Sequence, residues 1–402
     1  MFDIAILGQV ALGYSPFIDR KRNVMATRLT VFALREGSRL DAGELLHAVA
    51  GVWPAGGARV SLNVASESLL HDLLRSAPPT NVMVEVPAFI AADEANVDAI
   101  RRLHRDGVEL LIKGRPLTEL PRAVLPCFRY SIIDFADDRR TGAQGPAPAG
   151  VTRSISHVQS GVRSFAALEE SFRRHAVAVL GWPFAETEPP KSASAQRTGV
   201  HPDMQVIVEL IQQVDREDPI EDLERTLKRD PSLAFKLMRY INSAAFGFHV
   251  EIGSFRHAIM LLGYKRLKRW LALLLATASR DADMQPVMFA AVRRGMLMEE
   301  LSHATSDEVM RNEIFICGVF SLLDRMFNQP FSQLIKSLPV GDRVQQALVD
   351  GSGPYQPYLD LVRAIESESR SDFLDCSERL MLGVTEINRA VLKSLGSAVR
   401  LG

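Results

Sequence analysis

Short apolar runs alternate with stretches of helical period along the first part of the chain. Met1–Ile6, Ala58–Val64, Val82–Val86, Val108–Ile112 and Ser131–Phe135 read as buried strands. Between them, Ser66–Arg75 and Glu94–Arg105 repeat their apolar positions at helix spacing. Alternation of this kind predicts βα units around a mostly parallel sheet or barrel. Two polar segments rich in Gly, Pro and Ala interrupt it. Asp137–Gly150 (DDRRTGAQGPAPAG) predicts a loop, and Ala185–Gly199 (AETEPPKSASAQRTG) a domain boundary. Beyond Val200 strand signals fade and the helical period takes over. Asp203, Asp218-Pro219 and Asp230-Pro231 mark helix starts. Further helices are predicted at Ser254–Leu262, Arg266–Ala278, Val287–Ser302, Asp307–Met326, Asp342–Val349 and Tyr355–Glu368. The expected architecture is an α/β domain over 1–185, a linker over 186–199 and an all-α domain over 200–402.

Composition narrows the class. A length of 402 residues suits two domains, and 47 % hydrophobic with 24 % charged residues is the profile of packed globular protein. The 47 basic and 48 acidic residues nearly cancel, which leaves no whole-chain footprint for nucleic acid or anionic lipid. Cys127, Cys317 and Cys376 lie far apart, with no CxxC pair, so a reduced cytoplasmic setting fits better than a disulfide scaffold or a zinc site. Met1–Tyr14 carries Asp3 and no basic leader, and reads as a buried first strand instead of a signal peptide. No apolar run approaches the length needed to span a bilayer.

The most specific pattern is in the helical half. Asp230–Gly247 (DPSLAFKLMRYINSAAFG), Ser254–Gly263 (SFRHAIMLLG) and Leu267–Leu275 (LKRWLALLL) together resemble the HDOD family, all-helical and related in fold to the HD phosphohydrolases. Locally, Asn242, Ser243, Gly247 and Gly263 suit helix ends, and Ser254 suits an N-cap. An HD hydrolase holds its metals with a His-Asp pair and further His and Asp residues. By the resemblance, that pair would fall in Gly318–Asp324, where Ser321 and Leu322 stand. The helical half is therefore expected to bind partners without catalysis or metal. Its basic set Lys265, Arg266, Lys268, Arg269, Arg293 and Arg294 is the candidate partner surface. His71-Asp72, in the other half, reads as a chance dipeptide on a surface helix.

The N-terminal half is similar to EAL domains, TIM-like barrels that hydrolyse cyclic di-GMP with two metal ions. Ser15–Phe32 (SPFIDRKRNVMATRLTVF), Ser61–Leu70, Val82–Pro87 (VMVEVP), Gly107–Gly114, Ser131–Phe135 and Gly181–Phe184 (GWPF) occur in the order of that family's strand-end motifs. Carried over position by position, the resemblance puts Arg28 at the signature glutamate and Lys113-Gly114 at the paired aspartates. It puts Ile132 at a lysine, Gln159 at a glutamate, Leu180 at a glutamine and Phe32 at an arginine that follows the signature. Asn63, Glu85 and Asp134 are retained. Two cations in a pocket built for dications predict an internal ion pair, with Arg28 or Lys113 against Glu85 or Asp134. The implied protein is a degenerate and, from its short length, incomplete EAL barrel followed by an HDOD domain. It would have no cofactor and no phosphodiesterase activity, and would act on other signalling proteins. A non-hydrolysing cyclic di-GMP receptor is the alternative, disfavoured by Phe32 and Lys113.

Overall fold

The computed structural model describes residues 4–35, 37–138, 155–186, 202–230, 255–277, 281–303, 307–327, 329–334 and 340–399, with the single residues 233, 236, 237, 279 and 338. The chain divides into two compact units, 1–189 with 360–402, and 190–359.

The first unit is built on a long hairpin. Strand β1 (Val10–Asp19) runs antiparallel to β2 (Val24–Ala33). The Asp19 carboxylate closes the turn by accepting from the amides of Lys21 (2.8 Å) and Asn23 (2.9 Å). From β2 the sheet continues in parallel through β3 (Val60–Val64), β4 (Val82–Pro87), β5 (Leu110–Lys113), β6 (Phe128–Asp134), β7 (Ser156–Ser160) and β8 (Ala178–Leu180). Strand β8 then pairs antiparallel with β1, and the barrel closes.

Helices cover its outside. Helix α1 spans Ala42–Ala50, α2 Glu67–Arg75, α3 Ala88–Ala91, α4 Val97–Arg105 and α5 Phe165–Arg173. Ser66 caps α2, which buries Leu69, Leu70, Leu73 and Leu74 on one stripe. One end of the barrel interior is an apolar plug of Phe17, Ala26, Met83, Leu111, Ile132, Val158, Ala178 and Leu180.

Three expectations are corrected. The barrel is complete, because β7 and β8 supply the strands that close it. They escape an apolar-run search because β7 (SHVQS) is mostly polar and β8 is three residues long. Ala5–Gly8, within the first expected strand, is a 3₁₀ turn. Ile6 and Leu7 are buried as expected, but in a turn, and the Ile6 amide donates to the Glu44 side chain instead of a ladder carbonyl. Finally, the expected helical domain over 200–402 loses its last part to the barrel unit. Helices Arg370–Leu380 and Val384–Val399 pack there, burying Phe373, Ile387, Val391 and Leu395. Helical period shows that a face is apolar but not which partner covers it.

Every described element of the second unit is helical. Pro202–Asp215, Ile220–Leu227, Phe255–Ala276, Gln285–Leu301, Glu308–Phe320 and Leu323–Phe327 form its larger part. Gly263 (φ 68°) breaks the third of these at the predicted helix end. Gly318 lets two helices touch, since a Cβ there would lie 2.7 Å from the backbone of Arg294 and Gly295. Asp230 caps the start of the next expected helix, accepting from the Leu233 amide at 3.0 Å. The rest of that motif, with Asn242, Ser243, Gly247 and Ser254, lies outside the described residues, as do 139–150 of the predicted loop and 187–199 of the predicted linker.

Candidate functional site

Strand alternation builds the site. Residues two apart share a face, and the apolar plug fixes which face is inward. Arg28 follows Ala26 by two, Glu85 follows Met83, Lys113 follows Leu111, Asp134 follows Ile132, and Ser15 precedes Phe17 on the antiparallel β1. All five therefore occupy the layer above the plug. Gln159 has the parity opposite to the inward Val158. It is fully buried on the outer side of β7 and donates to the Ile133 carbonyl at 2.9 Å. Gln159 is thus corrected out of the interior site, and Ser160 takes the inward position.

Arg28 is the centre. Its Nη2 meets Glu85 Oε2 at 2.7 Å, and the other Glu85 oxygen accepts from Ser61 Oγ at 2.9 Å. Glu85 is 1 % exposed, so both carboxylate oxygens are engaged away from water. The Arg28 Nη1 faces Glu368 Oε2 at 3.4 Å, and Glu368 Oε1 accepts from Ser15 Oγ at 2.7 Å. Burial disfavours the charge on Arg28, but Glu85 and Glu368 outweigh it and hold the guanidinium above the ordinary arginine range.

Lys113 belongs to a second, neutral network. Its Nζ donates to Asn63 Oδ1 at 2.5 Å, and Asn63 Nδ2 donates to Thr30 Oγ1 at 3.1 Å. Burial pushes the Lys113 ammonium down, with Arg28 adding to the push and the two glutamates opposing it. Asp134 accepts from the Ala136 amide (3.0 Å) and Ser160 Oγ (3.4 Å). The expected ion pair therefore forms between Arg28 and Glu85, while Lys113 reaches an amide.

Sequence reasoning missed Ser15, Ser61, Thr30 and Glu368. The first three lie in or beside the strand-end motifs with inward parity, so they were legible. Glu368 stands 340 positions from Arg28, and no local signal connects them.

The donor set does not fit a pair of divalent cations. A guanidinium occupies the space against Glu85, and Lys113 stands one strand away. Among the described residues, no group of three or more His, Cys, Asp or Glu is placed to hold a metal.

In the helical unit the candidate partner surface divides, with Arg293 and Arg294 buried, Lys268 and Arg269 half-buried and Lys265 and Arg266 exposed. Arg293 and Arg294 are 8 % and 6 % exposed. Arg293 stacks on Phe289 with 3.2 Å to the ring centre, and Arg294 donates to Ser321 Oγ at 3.1 Å. Arg269 pairs with Glu299 and covers Phe315, and Lys268 pairs with Asp215. Lys265 and Arg266 remain exposed. Arg293 and Arg294 are corrected from docking charges to buried ones, and Arg269 covers Phe315 with its stem, whereas Lys268 stays half-exposed in its ion pair. At the expected His-Asp position, Ser321 donates to the Gly318 carbonyl at 2.7 Å and Leu322 is buried. Burial raises the pKa of the nearby Asp324.

Comparison with known proteins matches part of the helical unit to a family and returns relatives along the chain. Residues 201–327 match the HDOD domain. The uncharacterized protein YuxH of Bacillus subtilis is 24 % identical over 394 residues, covering 92 % of this chain and 93 % of its own length. A protein of Vibrio cholerae named cyclic di-GMP phosphodiesterase CdgJ is 26 % identical over 317 residues, covering 77 % of this chain and 71 % of its own. Among solved structures, a standalone EAL protein from Vibrio cholerae bound to c-di-GMP aligns with a TM-score of 0.31 and 15 % identity, covering 46 % of this chain and 93 % of its own. The EAL-like protein YdiV aligns with a TM-score of 0.32 and 9 % identity, covering 44 % and 92 %. With an HDOD match over 201–327 and a closed eight-stranded barrel that carries the ordered strand-end motifs, the chain is similar to proteins of the EAL–HDOD type.

Proposed function

We propose that this EAL–HDOD protein is a non-hydrolytic member of a cyclic di-GMP-related signalling system, acting through protein–protein contacts of its helical unit. The observation that carries the reading is the Arg28 guanidinium lying against both Glu85 and Glu368 inside the barrel. Metal-dependent hydrolysis needs carboxylates open to cations that activate water. Here Glu85 is engaged by Arg28 and Ser61, Glu368 by Arg28 and Ser15, and the remaining inward carboxylate, Asp134, accepts from the Ala136 amide and Ser160. The helical unit offers Ser321 and Leu322 in place of a metal-binding pair, which leaves binding as its role.

No helix among the described residues is long and apolar enough to cross a membrane. Cys127, Cys317 and Cys376 are buried and form no disulfide, which supports the reading of a reducing cytoplasmic setting.

The test is hydrolysis of cyclic di-GMP by the full chain with magnesium or manganese present. No linear product above the no-enzyme control is expected. Turnover that disappears on chelation and returns with metal would refute the reading.

A further inference from the structure

The inner cation of the barrel is completed by a residue from the far end of the chain. Helix Gln356–Glu366 ends in a turn that places Glu368 in the left-handed region, φ 54°. Four side chains besides that of Glu368 seat this turn on the barrel. Ser15 and Arg28 hold the Glu368 carboxylate, Trp182 Nε1 donates to the Glu366 carbonyl at 3.0 Å, and Arg370 donates to the Leu34 carbonyl at 2.5 Å. Gly13 makes room for it. A Cβ at that position would lie 3.0 Å from the Ile365 carbonyl oxygen and 3.1 Å from Glu368 Cα. Gly13 precedes Ser15 by two on β1 and so lies on the same inward face. The turn thus descends into the open end of the barrel, beside Phe32.

The seat is built for an anion. Arg28 Nη1 and the Ser15 hydroxyl both point at it, and Lys113 adds positive potential from the same layer. Without Glu368, Arg28 Nη1 and the Ser15 hydroxyl would both lose their acceptor, and Arg28 would keep Glu85 as its one carboxylate partner. Arg28 Nε is itself buried without a hydrogen-bond partner, so the guanidinium has donor capacity in reserve.

We propose that the Ile365–Ser369 turn is an internal plug, in which Glu368 serves as a tethered carboxylate on an anion seat that a free small oxyanion takes when the turn withdraws. The Trp182–Glu366 hydrogen bond ties this turn, within the barrel unit, to the segment that follows β8.

The test uses the full chain, amide exchange, and acetate as the free anion with equimolar chloride as control. In Glu368→Ala, exchange across 365–370 should rise about tenfold, as expected for losing one modest interaction. Acetate should restore protection in β1 and β2, chloride should not, and the wild type should respond to neither. Gly13→Leu keeps the carboxylate but blocks the seat sterically, and should loosen the turn in the same way. Equal effects of acetate and chloride, or a turn that stays protected in both variants, would overturn the proposal. So would loss of protection in α2 and α4 in both variants, since the turn would then be a structural staple.

Discussion

At Arg28 burial and charge are in conflict, and the surrounding residues decide the outcome. The guanidinium is kept because two carboxylates meet it, and Glu85 is kept because Arg28 and Ser61 use both its oxygens. Removing one partner of such a pair leaves the other buried and uncompensated. Arg28→Ala should cost the barrel about 3–5 kcal/mol. Lys113→Ala should cost less, about 1–2 kcal/mol, because it strands the buried but neutral Asn63 acceptor while removing a charge that burial disfavours. Amide exchange of β4 under denaturant would compare the two. Equal losses would place the charge partner of Glu85 wrongly. Sequence alone made both cations candidates, since parity and register put each in the same layer. What it lacked was reach. Arg28 is opposite Ser61 in the ladder and one strand further lies Glu85, whereas Lys113 sits at the end of β5, nearer the amide of Asn63.

Elements with a strong apolar pattern were legible, and those held by single polar contacts were not. Strands β3 to β6 are apolar runs on the inner or outer face, and their positions follow from composition alone. The helix Val384–Val399 has an equally clear period, yet its attachment depends on Asn388. This fully buried amide donates to the carbonyls of Leu7 (2.7 Å) and Val10 (2.6 Å) and accepts from the Leu12 amide (3.1 Å). It satisfies three backbone groups at the entry of β1, where no sheet partner does so. Asn388→Ala strands them in a dry interface and should destabilise the barrel unit on the order of 3 kcal/mol. Chemical denaturation of the full chain checks this. An effect under about 0.5 kcal/mol, the level of an ordinary surface change, would mean that water replaces the amide.

On the scale of the whole molecule, the barrel unit is discontinuous, with the helical unit inserted between its two pieces. A linear division into an N-terminal and a C-terminal domain was the natural reading of a composition shift near Val200. It failed because periodicity records local structure, while the return of 360–402 is a long-range contact. Residues 1–189 alone should therefore lack cooperative unfolding. The same segment joined by a short linker to 360–402 should regain it, since Trp182 and Glu366 already bring the two pieces within a hydrogen bond. Near-ultraviolet circular dichroism during thermal melting distinguishes the outcomes. Cooperative melting of 1–189 alone would reduce the returning helices to an accessory.

Discontinuity also sets a timetable for synthesis. The ribosome delivers the strands first, Arg28 and its partner Glu85 among them, and the second carboxylate on Arg28, Glu368, only after the inserted helices have been made. At about 5–20 residues per second, the nascent barrel waits roughly 10–40 s for Glu368 and Asn388. During that interval the faces of β1 that the returning helices later cover stand open to chaperones or to neighbouring chains. A protein arranged this way depends for its yield on what guards an unfinished barrel, as well as on how stable the finished one is.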